Sequence, residues 1–447
     1  MFSRRIYSMC AFTMFCTLAI PQLAAAVEPE PEKPFEVWLV DQSNSPDKTF
    51  GGRISIFNAD DISGSSASGA AASATIDLGA DTAALCLAQT GANPVRPHMV
   101  FFNSTQSHTV LAFVASGHVV FFNAKLRTPV ACLRASPGAG GARQAHAAFP
   151  TPDDSVVLVA NQNGKLLERI HTNYAAESFA LDSAATINLV TCVTPNGFPC
   201  QDLALRPDNA PICAFVPSAN DAPTFVSLRG GGLFVVDHTT TPMMIVGEYT
   251  TSAIAGNGCG FVEAKGSVYL NAGGGTASNL DEFAVFRLPM SGYSAANPPN
   301  VPERDLLFDD QSANRDAHGS AATKHQRYVW MFDRTGNAAE VFDAESGEWV
   351  NTVDLESAHS GDPTPDLAVV SPSGNRIFVA LRGPIPLSGD PHASTGSTPG
   401  LGVIQVTAGG SDGFMKAIAR ISNVDGSGVE RADAHGIALR IVEGELE

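Results

Sequence analysis

Polar and apolar residues alternate along this chain in short runs rich in Val, Ile and Phe, punctuated by Gly, Pro, Asn and Asp. A period of two puts successive side chains on opposite faces of a strand, whereas an amphipathic helix repeats at about 3.6 residues. Runs over 109–114, 155–160, 165–170, 327–332 and 376–381 show the strand pattern most plainly, and no segment reads as a helix. The expectation is an all-β chain. Its 41 glycines and 29 prolines supply turns for many short strands, and 44% hydrophobic content is too high for a disordered polypeptide.

A short motif precedes these runs and recurs seven times: Arg96-Pro97-His98, Gln144-Ala145-His146, Gln201-Asp202, Gly258-Cys259, Asp316-Ala317-His318, Pro365-Asp366 and Asp433-Ala434-His435. The steps between the last-named residues are 48, 56, 57, 59, 48 and 69. That spacing suits the blades of a β-propeller joined by loops of varying length. The residue opening each innermost strand of a propeller faces the central channel, so four histidines, two aspartates and a cysteine converge on one axis in this reading. The third copy starts its blade at Asp202, with an insertion over 208–222. The last copy opens one strand with almost no chain after it, and the strands it lacks lie at the other end, over 36–40, 53–57 and 74–78. Joining the two partial sets leaves no open edge. The sequence therefore predicts a single seven-bladed β-propeller over 35–447, closed by pairing the C-terminal inner strand with the N-terminal strands.

Thr151-Pro-Asp-Asp-Ser-Val-Val-Leu-Val-Ala-Asn-Gln-Asn-Gly and Ser371-Pro-Ser-Gly-Asn-Arg-Ile-Phe-Val-Ala-Leu resemble the Ser-Pro-Asp-Gly…Tyr-Val-Ala-Asn repeat of YVTN-type, lactonase-like seven-bladed propellers. The resemblance is sharp in these two blades and implies the fold. It does not fix an activity, because that superfamily holds enzymes, cofactor proteins and scaffolds.

Imidazoles and carboxylates bind divalent metals when several meet at one point. His98, His146, His318 and His435, with Asp202 and Asp366 at the same repeat position, are the candidate ligands. Asp316 and Asp433 stand two residues before His318 and His435 in Asp-Ala-His-Gly, where a carboxylate can orient an imidazole, and the glycine lets backbones pack close to the channel. The competing reading is a water-filled channel lined by polar side chains that bind nothing. The axial histidines also resemble those of exported copper propellers such as nitrous oxide reductase and thiocyanate dehydrogenase, although those sites are richer in histidine. That resemblance implies copper and oxidoreductase chemistry, while the two aspartates keep zinc, calcium and iron open. A second recurring position, at the end of each second strand, includes Asn161, Arg229, Asp333 and Arg382. These are candidate substrate contacts, with the two arginines suited to clamping an anion. The alternative is that strand ends are polar because they meet solvent.

Residues 1–26 carry Arg4 and Arg5, an apolar stretch and Ala24-Ala25-Ala26, which reads as a signal peptide cleaved near Ala26, by the ordinary secretory or the twin-arginine route. The apolar run is too short for a membrane span. Residues 27–34 form an acidic, Pro-rich lead-in. Removing the leader leaves Cys86, Cys132, Cys192, Cys200, Cys213 and Cys259, an even number that permits disulfides in an exported chain, with Cys192 and Cys200 the foremost pair. No C-x-x-C, P-loop or H-E-x-x-H occurs, and Gly409-Gly-Ser-Asp-Gly reads as turn glycines, not as a nucleophile elbow. A formal charge of −18 with no basic block argues against nucleic acid. Three functions follow as expectations: a periplasmic or secreted copper oxidoreductase acting on a small anionic molecule with an electron-transfer partner, a metal- or ligand-binding propeller without turnover, and a lactonase-like metal-dependent hydrolase.

Overall fold

The computed structural model describes residues 33–63, 67–219, 221–274, 282–312, 315–385 and 395–442. The leader and most of the lead-in lie outside these residues. Seven antiparallel sheets follow one another around the chain. Their inner strands are Pro97–Phe102, Ala145–Pro150, Pro211–Phe215, Gly260–Ala264, Ala317–Ala322, Pro365–Val370 and Ala434–Ile441, which open blades 1 to 7. In blades 1 to 6 each strand pairs with the next in sequence, as alternation and tight turns require. Blade 2 adds the two-residue strand Ile187–Asn188 to its third strand.

Blade 7 is the closure read from the two chain ends. Ala434–Ile441 pairs antiparallel with Phe35–Asp41, which continues to Arg53–Asn58 and Ala74–Asp77. Apolar side chains from neighbouring blades interleave: Trp38, Ile54 and Ile56 of blade 7 share a fully buried cluster with Leu111, Phe113 and Phe122 of blade 1. Burying that surface is the main favourable term in holding the ring together.

Two expectations are corrected. The inner strand of blade 3 begins at Pro211, not at Asp202; Asp202 lies in the preceding insertion, where its carboxylate accepts from the Ala204 and Leu205 amides at 2.9 and 3.1 Å. The chain also contains a helix, Ala83–Thr90, ended by Gly91 in the left-handed conformation (φ 74°). Its Ala-Ala-Leu-Cys-Leu-Ala-Gln run is rich in good helix formers, and Gly91 tolerates the positive φ that ends it. Among the described residues three disulfides form: Cys192–Cys200 as expected, Cys86–Cys132 between the helix and the outer strand of blade 1, and Cys213–Cys259 between blades 3 and 4.

Candidate metal centre

In blades 1, 2, 3, 5, 6 and 7 the inner strand slips in register close to its start. A bulge of this kind turns a side chain out of the ladder. The side chains released there include His98, His146, Ile212, His318, Asp366 and His435, so Ile212 takes the place foreseen for Asp202. The glycines that follow two of the histidines are sterically required. A Cβ on Gly319 would lie 2.0 Å from the Asp366 carbonyl oxygen, and one on Gly436 would lie 2.1 Å from that of His98. Adjacent inner strands approach too closely there for any side chain.

The four histidines and Asp366 form one contiguous group. The rings of His98 and His435 stack with centroids 3.9 Å apart, His318 lies 5.1 Å from His435, and His146 lies 4.4 Å from His98 at a steep angle. Nε2 of His98 is 3.2 Å from Nε2 of His146. His98 Nδ1 faces Gln42 Oε1 at 3.1 Å, and His435 Nδ1 faces Asp366 Oδ2 at 2.9 Å. Each of those acceptors draws the ring proton to Nδ1 and leaves the Nε2 lone pair directed inward.

Four buried atoms of the group then stand without aligned hydrogen bonds: His146 Nδ1, and, close together, His318 Nε2, His435 Nε2 and Asp366 Oδ1. His318 Nε2 is only 3.3 Å from Asp366 Oδ1. Buried polar atoms are nearly always satisfied, so lone pairs crowded together without donors fit a cation between them. Ligand atoms of His318, Asp366 and His435 all lie within 4.8 Å of one another.

Electrostatics favour the same occupant. Burial pushes His98 and His318 well below the ordinary histidine range, reinforced by neighbouring imidazoles at His98 and by Arg334 at His318. Burial lowers His435 and brings His146 to about 3. Neutral imidazoles are the metal-binding form. Burial raises Asp366, but the Arg334 charge and the hydrogen bond from His435 oppose it, and the carboxyl lies well below its usual value. Arg382 bridges Asp366 (2.9 Å) and Asp433 (2.6 and 2.9 Å), while Arg334 grips Asp316 at 2.8 and 3.0 Å and lies 3.5 Å from Asp366. This chain of three carboxylates and two guanidinium groups carries one net negative charge. Asp316 and Asp433 therefore hold arginines that brace Asp366, a step further from the imidazoles than foreseen.

The candidate substrate contacts have mainly internal partners. Asn161 is buried; its amide donates to the Ser136 carbonyl and Glu168, and its oxygen accepts from the Gln144 amide. Asp333 is buried, accepts from the Asp316 and Gly336 amides and pairs with Arg315. Arg382 belongs to the network around Asp366. Arg229 is partly exposed and pairs with Asp208 at 2.6 Å. Its charge is among those that lower His146, so it is near the axis. Gln42 and Arg334 lay beyond sequence reasoning, since neither occupies a repeated motif position.

These observations define a seven-bladed β-propeller with a histidine–aspartate cluster at its axis and three disulfides. No protein-family model and no curated protein matches the chain. Among solved structures it is similar to a hypothetical selenium-binding protein from Sulfolobus tokodaii, at 8% identity and TM-score 0.61, over 92% of this chain and 94% of that one. It is also similar to a putative 6-phosphogluconolactonase from Bacteroides fragilis, at 10% identity and TM-score 0.53 over 91% and 98% of the two chains. A functionally unknown protein from Desulfotomaculum acetoxidans matches at 13% identity and TM-score 0.53, over 91% and 98%. These similarities show the fold alone.

Proposed function

We propose that the axial cluster holds a transition metal, foremost copper, and that the protein is an exported oxidoreductase acting on a small anionic molecule. The observation that carries this reading is the set of inward lone pairs on His318, His435 and Asp366, buried and without aligned donors. Imidazole donors suit copper and disfavour calcium, which takes about 6–8 oxygen ligands. His98 and His146 complete an imidazole-rich pocket next to that set. Copper would supply one-electron chemistry there. The chain's own residues orient the ligands: Gln42 and Asp366 fix two imidazole tautomers, the arginine network keeps Asp366 ionised, and Arg229 offers positive charge to an incoming anion.

Export is supported by the leader pattern of residues 1–26 and by three disulfides, which persist in oxidising compartments. Among the described residues no helix is long and apolar enough to cross a membrane. Turnover would require an electron-transfer partner in the periplasm or outside the cell.

Elemental analysis and electron paramagnetic resonance of the purified protein test the proposal. The expected result is bound copper, with His146→Ala and His435→Ala each weakening it at least tenfold, about 1.4 kcal/mol, by opening a coordination position. Unchanged metal content in both variants would remove the site. A colourless zinc or calcium form would move the reading to metal-assisted, lactonase-like hydrolysis. A metal-free protein would leave a scaffold.

A further inference from the structure

Four side chains with sulfur or nitrogen donors meet beside the histidine cluster, from the first three blades and the entry to the fourth. Met99 follows His98 in blade 1, His146 belongs to blade 2, Cys213 lies in the inner strand of blade 3, and Cys259 directly precedes that of blade 4. Met99 Sδ is 3.9 Å from both cysteine sulfurs. A ring nitrogen of His146 and the two Sγ atoms all lie within 4.8 Å of one another. Met99, Cys213 and Cys259 are almost completely buried. The other two disulfides have ordinary stapling positions: one closes a short loop in the blade 3 insertion, and one ties the helix to an outer strand. Stapling blade 3 to blade 4 requires neither a thioether equidistant from both sulfurs nor an imidazole beside them.

We infer that Cys213, Cys259, Met99 and His146 form a second, redox-gated site for a soft monovalent metal ion such as Cu⁺. Reduction opens it. A dithiol gives two electrons to the Cys213–Cys259 bond, the S–S bond breaks, two protons are taken up to form two thiols, and the dithiol leaves as its own disulfide. The ion then displaces both thiol protons and is held by two thiolates, with the Met99 thioether and His146 nitrogen as further donors. Thiolate and thioether ligands select Cu⁺ over hard cations. Exchange with an oxidised dithiol reverses this: that disulfide takes two electrons from the two thiolates and two protons from water, leaves as the dithiol, and the re-formed Cys213–Cys259 bond releases the ion. This site shares His146 with the proposed centre but uses none of His318, Asp366 and His435, so variants at those three residues separate the two.

The test is competition for Cu⁺ against a chromophoric chelator under anaerobic conditions. The full chain is used as isolated and after reduction by a water-soluble phosphine, which takes up water oxygen to become its oxide and is then removed. Reduced protein should take at least one Cu⁺ more than oxidised protein, with sulfur scatterers in its copper X-ray absorption spectrum. That extra ion should be lost in Cys213→Ser/Cys259→Ser and kept in Cys192→Ser/Cys200→Ser, in Cys86→Ser/Cys132→Ser and in His318→Ala/His435→Ala. Met99→Leu, which leaves the disulfide intact, should weaken it about tenfold. Equal uptake by reduced and oxidised wild type would overturn the inference, as would wild-type affinity in Met99→Leu. Loss of Cu⁺ in His318→Ala/His435→Ala with retention in the double serine variant would assign the ion to the histidine–aspartate centre instead.

Discussion

Asp366→Asn tests the axial geometry in two separable ways. The carboxylate is fully buried and accepts from Arg382 Nη1 and His435 Nδ1, each at 2.9 Å. Both donors reach Oδ2, so an asparagine can keep an acceptor there and place its NH₂ at the Oδ1 position; what it removes is the negative charge facing Arg382 and Arg334. Charge-assisted hydrogen bonds are worth about 1.5–3 kcal/mol each, and breaking a buried ion pair costs about 3–5 kcal/mol. Arg382 keeps both bonds to Asp433 and Arg334 keeps both to Asp316, which points to the lower end, about 3 kcal/mol. Urea unfolding of metal-free protein should show this loss as a lower midpoint. Copper affinity should fall about 10–100-fold as well, because Asp366 Oδ1 is a candidate ligand and Oδ2 fixes the His435 tautomer. A wild-type midpoint would refute the paired carboxylate. A lowered midpoint with unchanged copper affinity would refute Oδ1 as a ligand while leaving the ion network intact.

Other outcomes follow from the same structure. Burial holds the axial histidines below their ordinary pKa, so the unfolded chain binds more protons than the folded one below about pH 6.5. Stability should be level above that pH and fall as the solution is acidified towards about 3, the value for His146, with a shallower fall in His146→Gln when unfolding midpoints are compared across pH. Gly319→Ala and Gly436→Ala should each destabilise by about 2–3 kcal/mol, since the new methyl meets a carbonyl of the adjacent inner strand. Gly361→Ala, where nothing lies within 4 Å, should be silent in the same thermal or urea melt.

The ring and its closure were legible because alternation, turn residues and a recurring polar residue all survive in one dimension. The same search misplaced blade 3. There the bulge position is Ile212, an apolar residue that gives no polar beacon, and the long insertion with its Cys192–Cys200 loop placed Asp202 at a plausible spacing instead. The helix over 83–90 was missed because its eight residues are too few to establish a 3.6-residue period against short apolar runs. At the axis, the four histidines and Asp366 could be collected by register alone. Their supports could not: Gln42 reaches His98 from across the closing sheet, and Arg334 meets Asp316 and Asp366 only once blades 5 and 6 are packed. The approach of Met99 to Cys213 and Cys259 likewise depends on side-chain direction at bulges, which no period encodes.

The closing sheet gives the axial centre a role in assembly. His435 sits on the strand that is laid down last, and Gln42 follows the first strand, so the coordination pocket is incomplete until the two ends are sewn together. On the proposed reading an ion seated there would work as a clasp: it would bind the finished ring and not the open one, and add RT ln(1 + [M]/Kd) to the cost of unfastening it. Chelation should therefore loosen the seam between the terminal strands before it disturbs the blades opposite, and hydrogen exchange along Phe35–Asp41 would report that order of events.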